Sequence, residues 1–557
     1  MHIETISAGD KGNSQPQRLR LGTLLAFLIF TASIALGQGF KMTQLNAPGN
    51  TSGTFPNAVN TAGAVVGTYT DSSGDTDGFL YGGGKYTTLV YPGSSGFTRA
   101  NGINDSGTVV GDFYESSNNA FHGYTYQGGN YTQYDVGGQV STSIFGINSA
   151  GDFAGAEGAG GVDEGFTTIG GKVTEFYASG TDNTFAYSIN SADEVVGEFF
   201  DSSNSAHGFY RSASGTITAI TYPGSTQTVC LGIDDAGEIT GWYVDTSGNS
   251  HGFTYVKGKY ATDDFPETAG VNSKGAYVGY YFGPDGVVYG YLASPQAFKL
   301  TEEKVPHSQQ GVYNAVTNAG VYVGQYVAGN GKAHGMMISG GKVKNIDDKK
   351  GVTTTCFGIN SKNVIVGAYF DTAGNPHGFQ YTAGKFKDIP GPSGATSSEA
   401  TGINDAGEIA GEFADSSGNN HGFTLKGSKY TQLDVPGSIA TFAWGINTAG
   451  EVTLQWYDTN GYLESSLYKG KKYTAINVPG AFFTGVHSIN TAGDIVYSWD
   501  DAYGNSHGAY KKGSAYFIFD YPKGSNTGSE GINDNGLLVG HYTPAGKTVP
   551  QPYQGTE

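Results

Sequence analysis

The sequence predicts an all-β fold, a β-propeller assembled from four-stranded repeats. Glycine and aromatic residues are abundant, with 90 Gly, 38 Tyr and 31 Phe in 557 residues, and this composition is typical of short strands joined by glycine turns. A motif of the form GIN-x-x-G recurs along the chain at a mean spacing of about 43 residues. A repeat of this length is the size of one propeller blade.

The Asn of this motif, or the residue equivalent to it, is called the anchor below. The repeat at residues 398–438 contains four strand-length runs, EATGI, EIAGEFA, HGFTL and YTQLDV, separated by the turn sequences NDAG, DSSGNN and KGSK. This pattern predicts four antiparallel strands in each repeat. The twelve anchors are Asn60, Asn104, Asn148, Asn190, Asp234, Asn272, Thr317, Asn360, Asn404, Asn447, Asn490 and Asn533.

Three recurring positions follow each anchor. The third residue after it is Gly, or Asp193 or Asn363, and these residue types predict a left-handed turn in which the anchor side chain bonds its own backbone. The seventh is usually Gly, as at Gly67, Gly111 and Gly411, and predicts close backbone approach between adjacent blades. The ninth is aromatic in eleven repeats and predicts a packing position between blades.

The combination of GIN-x-x-G-x-VVG with a following HGF resembles the HAF repeats of bacterial extracellular proteins, which are named for a His-Ala-Phe triplet. Here HGF stands where that family has His-Ala-Phe, and the resemblance covers most of the chain after residue 40. It implies a repeat architecture and an extracellular location. It implies no catalytic residues, because the family name describes a repeat.

The repeats divide into two similar halves. FKMTQLNAPGN at 40–50 resembles FKLTEEKVPHS at 298–308, six repeats later, and the segment YLASPQAF around Pro295 lacks the usual glycine turn. We therefore predict two six-bladed propellers, residues 38–296 and 297–557. Each begins with a fourth strand that closes its own ring by pairing with the last blade. A single twelve-bladed ring is the alternative.

The N-terminus predicts export. Arg18 and Arg20 precede an apolar run from Leu21 to Gly37 that ends in small residues, so residues 1–37 are interpreted as a signal peptide cleaved before Gln38. An uncleaved anchor is the alternative, because the run is near the minimum for a membrane span. The mature protein is expected to be a secreted, periplasmic or cell-envelope monomer without a membrane span.

The charge balance disfavours nucleic acid as a partner. The chain has 49 acidic and 30 basic residues, a formal net charge of −19, whereas phosphate recognition requires clusters of Lys and Arg.

An Asp followed six residues later by a His, as in DSSGNNHGF, recurs in several repeats and raises three interpretations. The pair is a turn cap with a strand-starting His, a metal site, or an acid–base pair. Recurrence favours the turn cap, because a catalytic pair is needed once per site and a turn device once per blade. The pairs remain candidates for facing a ligand: Asp201 with His207, Asp245 with His251, Asp371 with His377, Asp415 with His421, and Asp501 with His507.

Other candidates are isolated. Asp71, Asp75 and Asp77 form a weak calcium candidate, and no other metal or cofactor is predicted. Trp456 and Trp499 lie in irregular repeats and are also considered ligand-facing. The two cysteines, Cys230 and Cys356, are predicted to be buried small residues and not a disulfide, because each precedes the anchor of a different half.

The favoured function is that of an exported binding or scaffold protein for a polysaccharide or a cell-surface partner. The alternative is a glycan hydrolase or lyase with its site in one propeller channel. An enzyme should have unique polar residues at one channel mouth. The polar residues that stand out in the sequence recur instead, and this argues against an enzyme.

Overall fold

In a computed structural model of the chain, the structure describes residues 38–557 except 138–140, 160–161, 179–182, 263–266, 283–286, 306–307, 479–480, 482, 502–503 and 523. The predicted signal peptide, residues 1–37, lies outside the described residues. The described residues form 48 strands and one 3-10 turn, at Ile169–Gly171. No helix within these ranges is long and apolar enough to cross a membrane.

The chain forms two compact units. The first unit is residues 40–295, and the second unit is the rest of the described chain, mainly residues 296–557. The strands of each unit form four-stranded antiparallel blades, numbered here in the order of their anchors.

The first unit contains blades 1 to 6. Blade 1 consists of β2 (Thr54–Val59), β3 (Val65–Thr70), β4 (Thr76–Gly82) and β5 (Lys85–Leu89); blade 2 of β6 (Thr98–Ile103), β7 (Val109–Glu115), β8 (Ala120–Gln127) and β9 (Asn130–Tyr134); and blade 3 of β10 (Ser141–Ile147), β11 (Phe153–Ala159), β12 (Val162–Thr167) and β13 (Thr174–Phe176). Blade 4 consists of β14 (Thr184–Ile189), β15 (Val195–Phe200), β16 (Ala206–Arg211) and β17 (Ile217–Ile220); blade 5 of β18 (Gln227–Ile233), β19 (Ile239–Val244), β20 (Ser250–Val256) and β21 (Lys259–Thr262); and blade 6 of β22 (Thr268–Val271), β23 (Tyr277–Phe282), β24 (Val288–Ala297) and β1 (Gln38–Leu45).

The second unit contains blades 7 to 12. Blade 7 consists of β26 (Ser308–Val316), β27 (Tyr322–Ala328), β28 (Ala333–Ser339) and β29 (Lys342–Asn345); blade 8 of β30 (Thr353–Ile359), β31 (Ile365–Phe370), β32 (Pro376–Thr382) and β33 (Lys385–Ile389); and blade 9 of β34 (Ser397–Ile403), β35 (Ile409–Ala414), β36 (Asn420–Lys426) and β37 (Lys429–Leu433). Blade 10 consists of β38 (Ala440–Ile446), β39 (Val452–Tyr457), β40 (Leu463–Lys469) and β41 (Lys472–Ala475); blade 11 of β42 (Phe483–Ile489), β43 (Ile495–Asp500), β44 (Ser506–Lys512) and β45 (Ala515–Phe519); and blade 12 of β46 (Gly524–Ile532), β47 (Leu538–Pro544), β48 (Gln551–Thr556) and β25 (Lys299–Glu302).

In each unit a strand from its start completes its last blade. β1 pairs with β24 of blade 6, and β25 pairs with β48 of blade 12. The amide of Asn272 in blade 6 donates to the carbonyl oxygen of Asn60 in blade 1 (2.8 Å), and that of Asn533 in blade 12 donates to Thr317 in blade 7 (3.1 Å). The predicted propeller fold is confirmed, and the contacts are consistent with the prediction of six blades per ring.

The anchor explains why the innermost strands assemble. In blade 9, Asn404 Oδ1 accepts the backbone N–H of Glu408 (2.9 Å), as the predicted local turn requires, and Gly407 in this turn has φ 82°. The anchor amide also donates to the backbone carbonyl of Asn447, the anchor of blade 10 (2.9 Å). The anchor therefore links neighbouring blades as well as its own turn.

The recurring glycines allow close backbone approach, but not all of them at the predicted place. A Cβ on Gly411, seven residues after the anchor, would lie 2.2 Å from the carbonyl oxygen of Glu399 and 2.5 Å from the ring of Phe423, both in the same blade. The close approach between adjacent blades occurs instead at the Gly of GIN, where a Cβ on Gly402 would lie 2.4 Å from the carbonyl oxygen of Trp444. The prediction of close approach was right in kind, but the approach at Gly411 lies within the blade.

The hydrophobic core is distributed between successive blades. One cluster joins Val366 and Ile389 of blade 8 to Phe413 and Phe423 of blade 9. Each such cluster removes apolar surface from water, so every blade is stabilised by its neighbours. Cys230 and Cys356 lie in equivalent clusters, and both are buried free thiols. The prediction that they are buried small residues and not a disulfide is therefore confirmed.

Candidate functional site

The Asp–His turns are local capping devices. Asp415 Oδ1 accepts the backbone N–H groups of Ser417 (2.8 Å) and Asn419 (2.9 Å). The Asn419 N–H, followed by the Asn419 side-chain amide, lowers the pKa of Asp415 to about 2. The turn-cap prediction is confirmed. Equivalent backbone bonds occur at Asp201, Asp245, Asp371 and Asp501.

Each His of these turns begins the third strand and packs on the aromatic ring of the second. The ring centroids of His421 and Phe413 are 5.1 Å apart. Because these contacts repeat, the pairs have a structural role in each of the five blades that contain them. In three pairs the His Nε2 atom lies 3.0–3.1 Å from the capping Asp; these histidines are His207, His251 and His377. In the other two pairs the His Nδ1 atom lies about 3.0 Å from an Asp that follows the fourth strand; these histidines are His421 and His507.

The two Trp candidates are engaged within their own blades. Trp499 is 2% exposed and stacks on His507, with centroids 4.4 Å apart. Trp456 is partly buried, and its Nε1 donates to Ser466 Oγ (3.0 Å).

The calcium candidate in blade 1 is also a turn. Asp71 Oδ1 accepts the backbone N–H groups of Ser73 (2.7 Å) and Asp75 (3.0 Å). Asp77 accepts the hydroxyl of Tyr69 (3.3 Å), and burial, followed by the charge of Asp71, raises the pKa of Asp77. Among the described residues, these aspartates do not bring three potential ligand atoms within 4.8 Å of one another.

A different set of residues faces the propeller axis. In the first unit, the anchor segments of all six blades line one narrow cavity of about 70 Å³. In the second unit, Phe357 of blade 8 and Trp444 of blade 10 have ring centroids 6.3 Å apart although their blades are not neighbours. Both residues lie three positions before their anchors. The side chains of the fifth residue before each anchor and of the eighth residue after it point to this same side, because alternate residues of a strand share a face.

In the first unit these axial positions line a cavity of about 320 Å³ formed by blades 2, 3 and 4. Its wall contains the aromatic rings of Phe121, Phe145, Phe185 and Tyr187. The polar residues of the wall include Arg99, Ser141, Ser143 and Asp163.

The guanidinium of Arg99 is held in place by a buried carboxylate. Asp112 is fully buried and accepts hydrogen bonds from Arg99 Nε (3.0 Å) and Nη2 (2.5 Å), from Asn101 Nδ2 (2.9 Å) and from Ser143 Oγ (2.9 Å). The side chain of Arg99 is 34% exposed and lies 6.0 Å from the ring centroid of Phe145. Burial lowers the pKa of Arg99, but the charge of Asp112 more than offsets this and the pKa is raised. The arrangement presents a fixed cation to the cavity.

The second unit has a pair of carboxylic acids at axial positions. Glu399 and Glu412 lie directly opposite each other on β34 and β35, where side chains of one face are roughly 5 Å apart at Cβ. Burial raises the pKa of Glu399 to about 7, and burial together with the charge of Glu399 raises the pKa of Glu412. The pair therefore holds at least one proton near neutral pH.

A second polar cluster of this unit joins blades 11 and 12. Glu530, 9% exposed, has its two oxygens 3.2 Å from His487 Nδ1 and 3.3 Å from His541 Nδ1. Burial raises the pKa of Glu530, but His487 and His541 outweigh it and hold the pKa at about 2. Burial lowers the pKa of His487. An ionised carboxylate between two imidazoles can orient a proton acceptor.

The sequence analysis does not predict these axial residues, because they are not among the residues that the repeats share. They could have been found from the differences between repeats at three positions: five and three residues before the anchor, and eight residues after it. Those positions carry Arg99, Asp112, Glu399, Glu412 and Glu530, each different from its equivalents in most other blades. The polar residues at these positions differ from blade to blade, so the recurrence of the Asp–His turns does not decide between a binding protein and an enzyme.

No protein-family model matches the chain, and no match was found among the curated proteins. Among solved structures, the chain is similar to the BP39L lectin from Burkholderia pseudomallei, with 11% identity over 59% of this chain and 94% of the lectin and a TM-score of 0.25. It is similar to the β-propeller domain of the Trilobed protease from Pyrococcus furiosus, with 10% identity over 59% and 92% and a TM-score of 0.26. The SapL1 lectin matches with 12% identity over 52% and 94% and a TM-score of 0.26. Likenesses this low do not bear on function.

Proposed function

We propose that the protein is an exported glycan-binding protein and that the cavity of blades 2 to 4 is its binding site. The observation that carries the proposal is the composition of that wall. The aromatic side chains of Phe121, Phe145, Phe185 and Tyr187 line the cavity together with Arg99. A saccharide has apolar C–H faces and a rim of hydroxyls, so it is complementary to aromatic rings interleaved with a few fixed polar groups.

The fixed charge of Arg99 supports this ligand class. Its pairing with the buried Asp112 leaves the local charge balanced, so the guanidinium donates hydrogen bonds without requiring a strongly anionic ligand. The hydroxyls of Ser141 and Ser143 line the same wall. A preorganised donor set of this kind loses little conformational entropy on binding.

A glycan array probed with residues 38–557, followed by calorimetry with the best ligand, tests the proposal. Phe145→Ala should weaken binding about tenfold, because it removes one stacking surface. Phe357→Ala is the matched control, since it removes a ring three positions before an anchor of the second unit. Equal affinity of wild type and Phe145→Ala for every array ligand would contradict the proposed site.

The second candidate function is a glycan hydrolase or lyase acting in the channel of the second unit. It is favoured by the opposed acids Glu399 and Glu412, because glycoside hydrolysis commonly uses one protonated and one ionised carboxyl group. Release of reducing ends from an array ligand, abolished in Glu399→Gln and in Glu412→Gln but retained in Phe145→Ala, would support this candidate. Unchanged activity in both Gln variants would exclude these acids as its catalytic pair.

A further inference from the structure

Blade 3 departs from the other blades at three positions that lie side by side. In blade 2, Phe113 of the second strand pairs with His122 of the third strand, and Gln133 of the fourth strand lies beside them. Blade 9 has Phe413, His421 and Gln432 in the same register. The corresponding residues of blade 3 are all acidic: Glu157, Glu164 and Glu175.

The three substitutions occur together. By the strand pairings of the described residues, no other blade has more than one carboxylate at these three positions. Glu157 also replaces the aromatic residue that every other blade has nine residues after its anchor. A neutral packing unit of ring, imidazole and amide is thus replaced as a whole by three acids.

The geometry brings these acids to one point. One carboxylate oxygen of each of Glu157, Glu164 and Glu175 lies within 4.8 Å of the others. Two ligands on opposite sides of a calcium ion, each at about 2.4 Å, are separated by about 4.8 Å. Three oxygens this close to one another span about the width of one calcium coordination sphere, and Glu175 lies on the solvent side.

The carboxylate of Glu157 is buried and incompletely hydrogen-bonded. The residue is 3% exposed, and its buried Oε2 atom has no hydrogen-bond partner among the described residues. An unpartnered buried carboxylate oxygen is costly unless a cation or a proton compensates it.

We propose that Glu157, Glu164 and Glu175 form a calcium-binding site in blade 3. Hard oxygen ligands favour a hard cation, and calcium accepts irregular sets of carboxylates completed by water. The ion neutralises the three acids and ties the second, third and fourth strands of the blade together. The site is separate from the blade 1 aspartates, and the proposal does not depend on glycan binding.

The test is a calcium titration of the full-length protein after EDTA treatment, by isothermal calorimetry and differential scanning calorimetry. The wild type should bind one Ca²⁺ through this site. At a calcium concentration 100-fold above Kd, the transition of the first unit should rise by about 5–10 °C. Glu164→Gln and Glu157→Gln should each abolish the rise. In EDTA both should melt at or above the wild-type temperature, because an amide relieves carboxylate repulsion.

Asp71→Asn is the matched control, since it removes one carboxylate from the other acidic turn of the same unit. It should keep the full calcium response. The proposal is overturned if the wild type shows neither binding heat nor a shift with Ca²⁺, or if Glu164→Gln and Glu157→Gln respond as the wild type does. Loss of the response in Asp71→Asn alone would place the ion in blade 1 and would also overturn it.

Discussion

Asp112→Ala should be among the most damaging single substitutions in the first unit. The fully buried carboxylate accepts four hydrogen bonds, two from Arg99 and one each from Asn101 and Ser143. Removal of the carboxylate leaves the guanidinium of Arg99, whose side chain is 34% exposed, without its counter-charge. Breaking one partner of a fully buried pair costs about 3–5 kcal/mol, and because Arg99 is partly exposed we expect a loss of about 2–4 kcal/mol. Replacing both partners with apolar residues is often close to neutral.

Thermal and urea unfolding of the full chain measure this effect. For a unit of this size, the loss corresponds to a fall in Tm on the order of 10 °C. The double variant Arg99→Met with Asp112→Leu should recover most of the stability but lose glycan affinity, since it removes the donor from the cavity. A loss below about 1 kcal/mol in Asp112→Ala, or a double variant as unstable as the single one, would refute the assignment of Asp112 as the buried support of Arg99.

Three further predictions concern the second unit. Because Glu399 has its pKa raised by burial from 4.5 to about 7, the stability of the unit should fall as pH rises through that range. Glu412→Gln should flatten this part of the Tm–pH profile, and an unaltered profile would count against the coupling. Asn404→Ala should cost about 2–3 kcal/mol in urea unfolding, because it leaves a turn N–H and the carbonyl of Asn447 without their partner; a loss near zero would show that the link between blades is dispensable. Asp415→Ala should lower Tm by about 2–4 °C at neutral pH, with little effect near pH 2, and an unchanged Tm at neutral pH would contradict the turn-cap role.

Much of the scaffold could be predicted from the sequence because its determinants are local or periodic. Asp415 caps a turn with backbone groups two and four residues away, so its role is visible within one repeat. The fourth strand of blade 6, β1, could be predicted because the chain starts each half with a fourth-strand sequence. Such signals require only the spacing of residues along the chain.

The acidic cluster of blade 3 could be predicted from the sequence only in part. Glu157 is visible in the sequence as the one exception in an aromatic column. Its meaning depends on Glu164 and Glu175, which stand seven and eighteen positions further along and meet it only through the pairing of three strands. The exception was present in the sequence, but the cluster was not.

By itself, the sequence determined the four-stranded blade, the turn caps, the buried cysteines and the strand that completes the last blade of each unit. The tertiary structure decided what faces the axis. Phe357 and Trp444, or His487 and Glu530, are separated by one or two whole repeats and meet only because the blades are arranged around a common centre. A repeat constrains the residues that every copy needs for its own strands and turns, whereas the axial residues contact other blades. Their chemistry is therefore set by the arrangement of blades in space, which no single repeat encodes.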